Sequence, residues 1–523
     1  MSDRQFEQRL AGLINCGDGA VLAGGRKGIE KESLRVDPAG RIAQTPHPRA
    51  LGAALTNEFI TTDYSEALIE LVTPAFAESW ELIQFLCDLH QFTYRHLGDE
   101  LLWATSMPCS IGSDAEVPIA EYGRSNVGTM KTVYRRGLGW RYGRMMQAIA
   151  GVHFNYSFPD SLWPVLADLR HESECGRDFV SARYFDLLRN YRRFGWLVLY
   201  LFGASPAVCS SFVEGRTHSL SRKSDGTLYE PYATSLRMSD LGYRNKTQQR
   251  VDVSVNSLEE YVADLARATT TVHPDYERIG VKVDGEYRQL NANLLQIENE
   301  YYSFIRPKRV ARPGERPTAA LARAGVEYVE LRAVDVSAFD PVGVSEHSLR
   351  FLEAFLALCL LRESPPIGPA EHAVLDANHA LVASRGREPG LLLVRGDRQV
   401  PLVDWARELI VSMQGICELL DAGDAARPYA AALEIQAQKI EDSLRTPSAL
   451  VMLELELNCE SFAEFALRMS RTHKDYFLGL YPPNEGRLEQ FVTEAANSLR
   501  RQLELESAEA PSFDAYLEHY FAN

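Results

Sequence analysis

GIEKESLRV, residues Gly28 to Val36, places two carboxylates where a strand normally carries hydrocarbon. With a period of two, Glu30, Glu32, Leu34 and Val36 share one face, and Lys31, Ser33 and Arg35 share the other. The basic, hydroxylated face reads as the wet one, which turns both acids inward beside Leu34 and Val36. An uncompensated carboxylate in such a place costs several kcal/mol in order of magnitude. A positive charge is therefore expected over Glu30 and Glu32.

The same conflict recurs in three other strand-like runs. AALTNEFITTDYSEALIELVTP, Ala53 to Pro74, closes on the apolar run ALIELV, broken only by Glu70. GVHFNYSF alternates strictly, with Val152, Phe154, Tyr156 and Phe158 on one side and His153, Asn155 and Ser157 on a polar side that should line something. In VEYVELRAVDV, Tyr328, Glu330 and Arg332 share a face, alternating with Val329 and Leu331. With Asp63, included by proximity, these runs supply five carboxylates and an imidazole. Hard oxygen donors in that number suit Mg²⁺ or Mn²⁺ better than zinc, and more than one ion. Plainer readings stay open for each residue singly: an acid pairs with an arginine, as Glu330 would with Arg332, and His153 is a satisfied core histidine. Spacing alone reaches an antiparallel sheet with a divalent-metal site for a phosphorylated substrate.

The chain has 523 residues, 46% of them apolar, enough for one large domain with appendages or for two to three domains. Fifty-five basic against 71 acidic residues leave a net charge of −16, which argues against a nucleic-acid partner. Eight cysteines, Cys16, Cys87, Cys109, Cys175, Cys209, Cys359, Cys417 and Cys459, are scattered without a CxxC pair and are expected as reduced, mostly buried thiols. The longest apolar run, Phe194 to Cys209, falls short of the roughly 20 residues of a membrane helix and contains a proline. MSDRQFEQRLAGLINCG has the pattern of neither a secretory signal nor a transit peptide, so a cytoplasmic location is expected.

Along the chain, a short helix over residues 1–16 leads through a Gly-rich turn to the first acidic strand, and DPAGR, Asp37 to Arg41, closes a hairpin. Helices are expected within 76–103, 118–150 and 257–271. Residues 205–256 show little periodicity and read as a lid or binding loop. QLNANLLQIENEYYSFIRPKR and VEYVELRAVDV read as further strands. Beyond Pro341 the pattern is helical, with elements at SLRFLEAFLALCLLRES, 401–421, 427–443, 446–472 and 486–507. The division expected is a catalytic core over 1–340 and a helical supporting region over 341–523, in an α+β fold.

GIEKESLRV, LTNEFITTDYSEALIELVTP, YGRSNVGTMKTVYRRGL, RYGRMMQAIAGVHFNYS, FGASPAVCSSF, YATSLRMSDLGY, QIENEYYSFIRPKR and GVEYVELRAVDV together resemble the bacterial, enteric-type glutamate–cysteine ligases, in order from about residue 20 to 350 and more weakly to the end. The resemblance implies a fold related to glutamine synthetase, with an antiparallel sheet curved into a funnel and surrounded by helices. It implies ATP-dependent joining of glutamate to cysteine, the first step of glutathione synthesis, by way of γ-glutamyl phosphate and without a covalent enzyme intermediate. Metal ligands of the family fall at positions matching Glu30, Glu32, Asp63, Glu70, His153 and Glu330. Arg237 matches the residue that holds glutamate and Arg332 the one that meets the transferred phosphoryl, with Arg135 assisting. Tyr243 and Tyr302 match residues that bind the cysteine carboxylate, with Tyr134 beside them. Leu138 and Gln147 match its side-chain pocket, where Tyr64 stands in place of the enteric phenylalanine. Arg306 and Lys308, in FIRPKR, are expected contacts for ATP phosphates, with a solvated turn as the plainer reading of RPKR; no GxxxxGK[ST] loop is present, and the family fold implies that nucleotide binding relies on metal-bridged phosphates at the sheet. Small molecules are the expected partners of a monomer.

Two competing readings share this frame. A carboxylate–amine ligase with another acceptor would keep the metal machinery and differ at Tyr64, Leu138, Gln147, Tyr243 and Tyr302. A non-catalytic amino-acid or nucleotide sensor would bind without turnover.

Overall fold

A computed structural model of the chain describes residues 2–15, 21–215, 217–223, 225–242, 251–312 and 314–522. The strands are β1 (Arg26–Val36), β2 (Ile60–Thr62), β3 (Leu68–Val72), β4 (Leu101–Leu102), β5 (Val152–Ser157), β6 (Ala207–Cys209), β7 (Ser221–Arg222), β8 (Thr227–Tyr229), β9 (Lys282–Val283), β10 (Glu286–Tyr287), β11 (Ile305–Lys308), β12 (Tyr328–Val334), β13 (Leu392–Arg395) and β14 (Arg398–Pro401). The helices of the first part are α1 (Ser2–Asn15), α2 (Ser79–Tyr94), α3 (Asn126–Tyr142), α4 (Leu162–Leu169), α5 (Arg177–Phe194), α6 (Trp196–Phe202), α7 (Leu258–Thr270), α8 (Pro274–Ile279) and α9 (Pro317–Ala324). The second part holds α10 (Glu346–Leu361), α11 (Pro369–Arg385), α12 (Leu402–Leu420), α13 (Pro428–Glu441), α14 (Pro447–Leu457), α15 (Phe462–Gly479), α16 (Glu485–Ser507) and α17 (Phe513–Ala522).

The main sheet is antiparallel and runs β11-β12-β5-β1-β3-β2, with β4 joining the end of β1. Its edges, β11 and β2, do not meet, so no barrel closes. The fold is α+β, as expected. β1 is long enough to pair with β5 through Arg26–Lys31 and with β3 through Glu30–Leu34, which makes GIEKESLRV the hub of the sheet.

One expectation fails here. The Lys31, Ser33 and Arg35 face is not wet: these residues and Lys27 are all buried. Helices cover that side, with α2 on β1 and β3, α5 on β11 and α6 on β12. Distant groups answer Lys27 and Arg35, whereas burial pushes the pKa of Lys31, which meets Ser33 Oγ, down to about 7. Lys27 Nζ lies 2.6 Å from Glu353 of α10, and Arg35 donates to Glu100 at 2.8 Å and to the Thr45 and Glu66 carbonyls at 2.8 and 2.9 Å. Both faces of β1 are thus covered, and which one carries chemistry is set by what lies opposite each.

Other differences are local. Within 205–256, β6, β8 and β7 form a small sheet. Only Ile305–Lys308 of the QLNANLLQIENEYYSFIRPKR run is strand. The helix expected over 446–472 is broken between α14 and α15, where Cys459 takes φ +53° and Ser461 and Glu464 cap the start of the second helix reciprocally. Helix α11 and the β13–β14 hairpin had no clear signal. Cys109 and Cys209 form a disulfide with Cα atoms 5.4 Å apart, which corrects the expectation of reduced thiols throughout. Among the described residues the main apolar core draws on residues from Phe6 to Phe491, with two smaller clusters around Met130 and Tyr122. Among the described residues no helix is long and apolar enough to cross a membrane.

Candidate active site

Register assembles the acids. Opposed residues of an antiparallel pair project to the same side with their Cβ atoms adjacent. Glu30 faces His153, and Glu32 faces Glu70. Glu330 faces Asn155 across β5 and Arg306 across β11. Residues far apart in the chain therefore share one patch of sheet. His153 Nδ1 is 3.2 Å from Glu30 Oε2 and 3.7 Å from Glu330 Oε1, and its Nε2 is 3.6 Å from Glu32 Oε1. Asn155 Nδ2 donates to Glu30 Oε1 at 2.8 Å and Gly151 N to Glu32 Oε2 at 2.6 Å.

The pairing of each acid with its own arginine holds only for Glu330. Arg332 Nη1 lies 2.7 Å from its Oε1 and Lys308 Nζ 3.3 Å from its Oε2. Among the described residues no lysine or arginine is within ion-pair distance of Glu30, Glu32 or Glu70. The electrostatics follow. Burial pushes the Glu330 carboxyl up, but Arg332, Lys308 and Arg306 outweigh it and hold the group well below the carboxylate range. Burial opposes ionisation of Glu30 too, and the His153 hydrogen bond brings it below its usual value. Glu32 is raised, by burial first and Asp63 among the charges. Glu70 is raised well above the usual value, by burial and then by Glu30, Asp63 and Glu32. Such a set lacks positive charge. Ligand atoms of Glu30, Glu70 and His153 lie within 4.8 Å of one another, and a carboxylate-rich donor set with one imidazole fits Mg²⁺ or Mn²⁺.

Beside this patch is an open cleft with a volume of about 100 Å³. Ten of the expected site residues line it: Glu32, Asp63, Tyr64, Tyr134, Arg135, Leu138, Gln147, Tyr302, Arg306 and Arg332. Helix α3 contributes Tyr134, Arg135 and Leu138, its start fixed by Ser125 accepting from the Gly128 amide. Arg135 Nε donates to the Asp63 carbonyl, tying α3 to the segment between β2 and β3. Glu30, Glu70, His153 and Glu330 lie next to the cleft on the sheet. Lys308 reaches the site through Glu330. Arg237 is buried off the cleft wall, donating to the Arg332 carbonyl at 3.0 Å and lying 3.5 Å from Asp335 Oδ1. Tyr243 lies outside the described residues.

Four lining residues were not anticipated: Tyr142, Met146, Asn299 and Glu300. Glu300 is buried, 2.9 Å from Arg141 Nη1, and accepts from Tyr142 Oη at 2.7 Å. The NEYY run that contains Glu300 was the available signal, since it interrupts a segment otherwise read as strand.

The model for the family described as glutamate-cysteine ligase matches residues 10–382. A glutamate–cysteine ligase of Alcanivorax borkumensis is 50% identical over 523 residues, covering 99% of each chain. One from Pseudomonas putida is 49% identical, covering 95% of this chain and 94% of the relative. The structure of the Francisella tularensis glutamate–cysteine ligase in complex with AMP superposes with a TM-score of 0.89 at 38% identity, covering 96% of this chain and 98% of that one. A bifunctional glutathione synthetase from Pasteurella multocida shares the fold, with a TM-score of 0.67 at 21% identity, covering 91% of this chain and 56% of that one. Sequence and fold agree over almost the whole length, and the chain belongs to the glutamate–cysteine ligase family, whose members are ATP-dependent ligases.

Proposed function

We propose that the protein, working as a monomer, joins the γ-carboxylate of L-glutamate to the amine of L-cysteine through γ-glutamyl phosphate, releasing ADP and phosphate. The observation that carries this reading is the convergence of Glu30, Glu32, Glu70, Glu330 and His153 on one patch of sheet beside a cleft lined by Arg135, Arg306 and Arg332. The AMP bound by the Francisella relative supports a nucleotide at this fold.

The chemistry calls for such a site. An oxygen of the glutamate γ-carboxylate must attack the γ-phosphorus of ATP, and both partners are anions. Divalent ions held by Glu30, Glu32, Asp63, Glu70, His153 and Glu330 would supply the neutralising charge. Arg332, its guanidinium fixed by Glu330, faces the transferring phosphoryl group, with Arg135 assisting from α3. Arg306 and Lys308 approach the ATP phosphates. Arg237, seated behind the 332–335 backbone, draws the glutamate substrate. The cysteine amine then attacks the acyl carbon, phosphate leaves with one glutamate oxygen, and the amine loses a proton. Tyr302, Tyr243 and Tyr134 hold the cysteine carboxylate, and Leu138, Gln147 and Tyr64 surround its side chain.

Glutamate labelled with ¹⁸O in the γ-carboxylate tests the pathway. One labelled oxygen per turnover is expected in inorganic phosphate, and unlabelled phosphate would rule the acyl phosphate out. Equal or faster phosphate release with a non-cysteine amine would transfer the reading to another acceptor.

A further inference from the structure

Asp335 follows β12 directly and is buried. Its Oδ2 accepts from the Ala204 amide at 2.8 Å and the Ser205 hydroxyl at 2.6 Å, and its Oδ1 accepts from the Ser235 hydroxyl at 3.0 Å. Ser205 and Ser235 are themselves joined by a backbone bridge, so the carboxylate is fixed from both segments before any cation is counted. Neutral donors of this kind can be met by a neutral amide side chain, and burying an ionised one costs far more. The charge needs another reason. Arg237 supplies it: this residue is buried too, with Nη1 3.5 Å from Asp335 Oδ1 and Nη2 donating to the Arg332 carbonyl at 3.0 Å. The guanidinium also meets the acid patch at Gly151, whose amide donates to Glu32 at 2.6 Å and whose missing side chain makes room for Arg237. A guanidinium beside a carboxylate-rich patch is drawn onto it. Asp335 offers a competing carboxylate in a fixed seat.

We propose that Asp335 is a positioning residue: it holds the Arg237 guanidinium back from Glu32, leaving Arg237 for the glutamate substrate and Glu32 for a divalent ion. This rests on the function proposed above and adds the group that sets where its glutamate-binding arginine stands.

The test is Asp335→Asn, which keeps the shape and can keep the Ala204, Ser205 and Ser235 contacts but loses the charge. Steady-state kinetics should show the KM for glutamate rising about tenfold, with the KM values for cysteine and ATP within about twofold. A purely structural role would move all three. In an Arg237→Ala background the same change should alter the KM for glutamate less than about twofold, because the arginine it acts through is gone. Ser235→Ala keeps the carboxylate but loosens its Oδ1, and should raise the KM for glutamate about threefold. That variant decides the matter if Asp335→Asn does not fold. An unmoved KM for glutamate, a uniform rise of all three values, or a full further rise in the Arg237→Ala background overturns the assignment alone. A KM for glutamate unchanged by Arg237→Ala itself, or a wild type that releases no phosphate with glutamate and cysteine, overturns the proposed function at that point and this assignment with it.

Discussion

Glu70 bears the heaviest electrostatic load in the site, being pressed by burial and by three neighbouring carboxylates with no cation in ion-pair reach. Its folded pKa lies above the unfolded value, so without metal the folded protein binds the extra proton and loses stability as pH rises from the unfolded pKa toward the raised one. Glu330 runs the other way, because its lowered pKa contributes stability above the unfolded value that is lost as pH falls. In EDTA, Glu70→Gln should therefore melt higher than the wild type, with the gap widening from about pH 5 upward, while its Mn²⁺ affinity falls about tenfold or more. Calorimetry across pH and a Mn²⁺ titration read both, and a lower melting point with unchanged affinity would deny Glu70 its place. Glu30, Glu32, Glu70, His153 and Glu330 stood out in the sequence because each is a polar group set among the apolar residues of a strand-like run, and the sheet register brings them together. Tyr134, Leu138 and Gln147 did not. They sit on a helix and the turn after it, where aromatic and amide side chains look like ordinary core or surface, and only the family resemblance singled them out.

At the scale of elements, the site is a consequence of register. A slip of one residue in β1 would turn Glu30 and Glu32 toward the helices and bring Lys31 to the cleft side. Gly151, just before β5, holds two parts together: its amide donates to Glu32, and its missing side chain admits the Arg237 guanidinium. A Cβ there would land on Arg237. Gly151→Ala should raise the KM for glutamate about tenfold or more in a protein that still folds, measured by steady-state kinetics and melting. An unchanged KM would separate Arg237 from glutamate. Strands β1, β5 and β12 were readable from period two alone. The segment before β11 was not, because side-chain amides replace a strand partner there. Gln289 donates to the Tyr276 carbonyl, Asn291 to that of Gln296 and Asn293 to that of Thr269. Two of these bonds reach chain outside the run, at Tyr276 and Thr269. The wet face expected for Lys31 and Arg35 failed for a related reason, since Glu353, which answers Lys27 of the same face, comes from the far half of the molecule.

For the molecule as a whole, the acid patch exists only once the strands bearing residues 30 and 330 are in one sheet. The Cys109–Cys209 link ties together positions 100 residues apart, and the main core draws on residues from Phe6 to Phe491. The net charge of −16 means the overall field repels glutamate and ATP, and attraction must come from the local guanidinium groups and bound ions. Crystals of the protein with Mn²⁺ and a non-hydrolysable ATP analogue, measured at the manganese absorption edge, test this most directly. More than one anomalous peak is expected, each about 2.1 Å from carboxylate oxygens among Glu30, Glu32, Asp63, Glu70 and Glu330 or from a His153 ring nitrogen. Peaks bound only to the nucleotide, or none near these side chains, would contradict it.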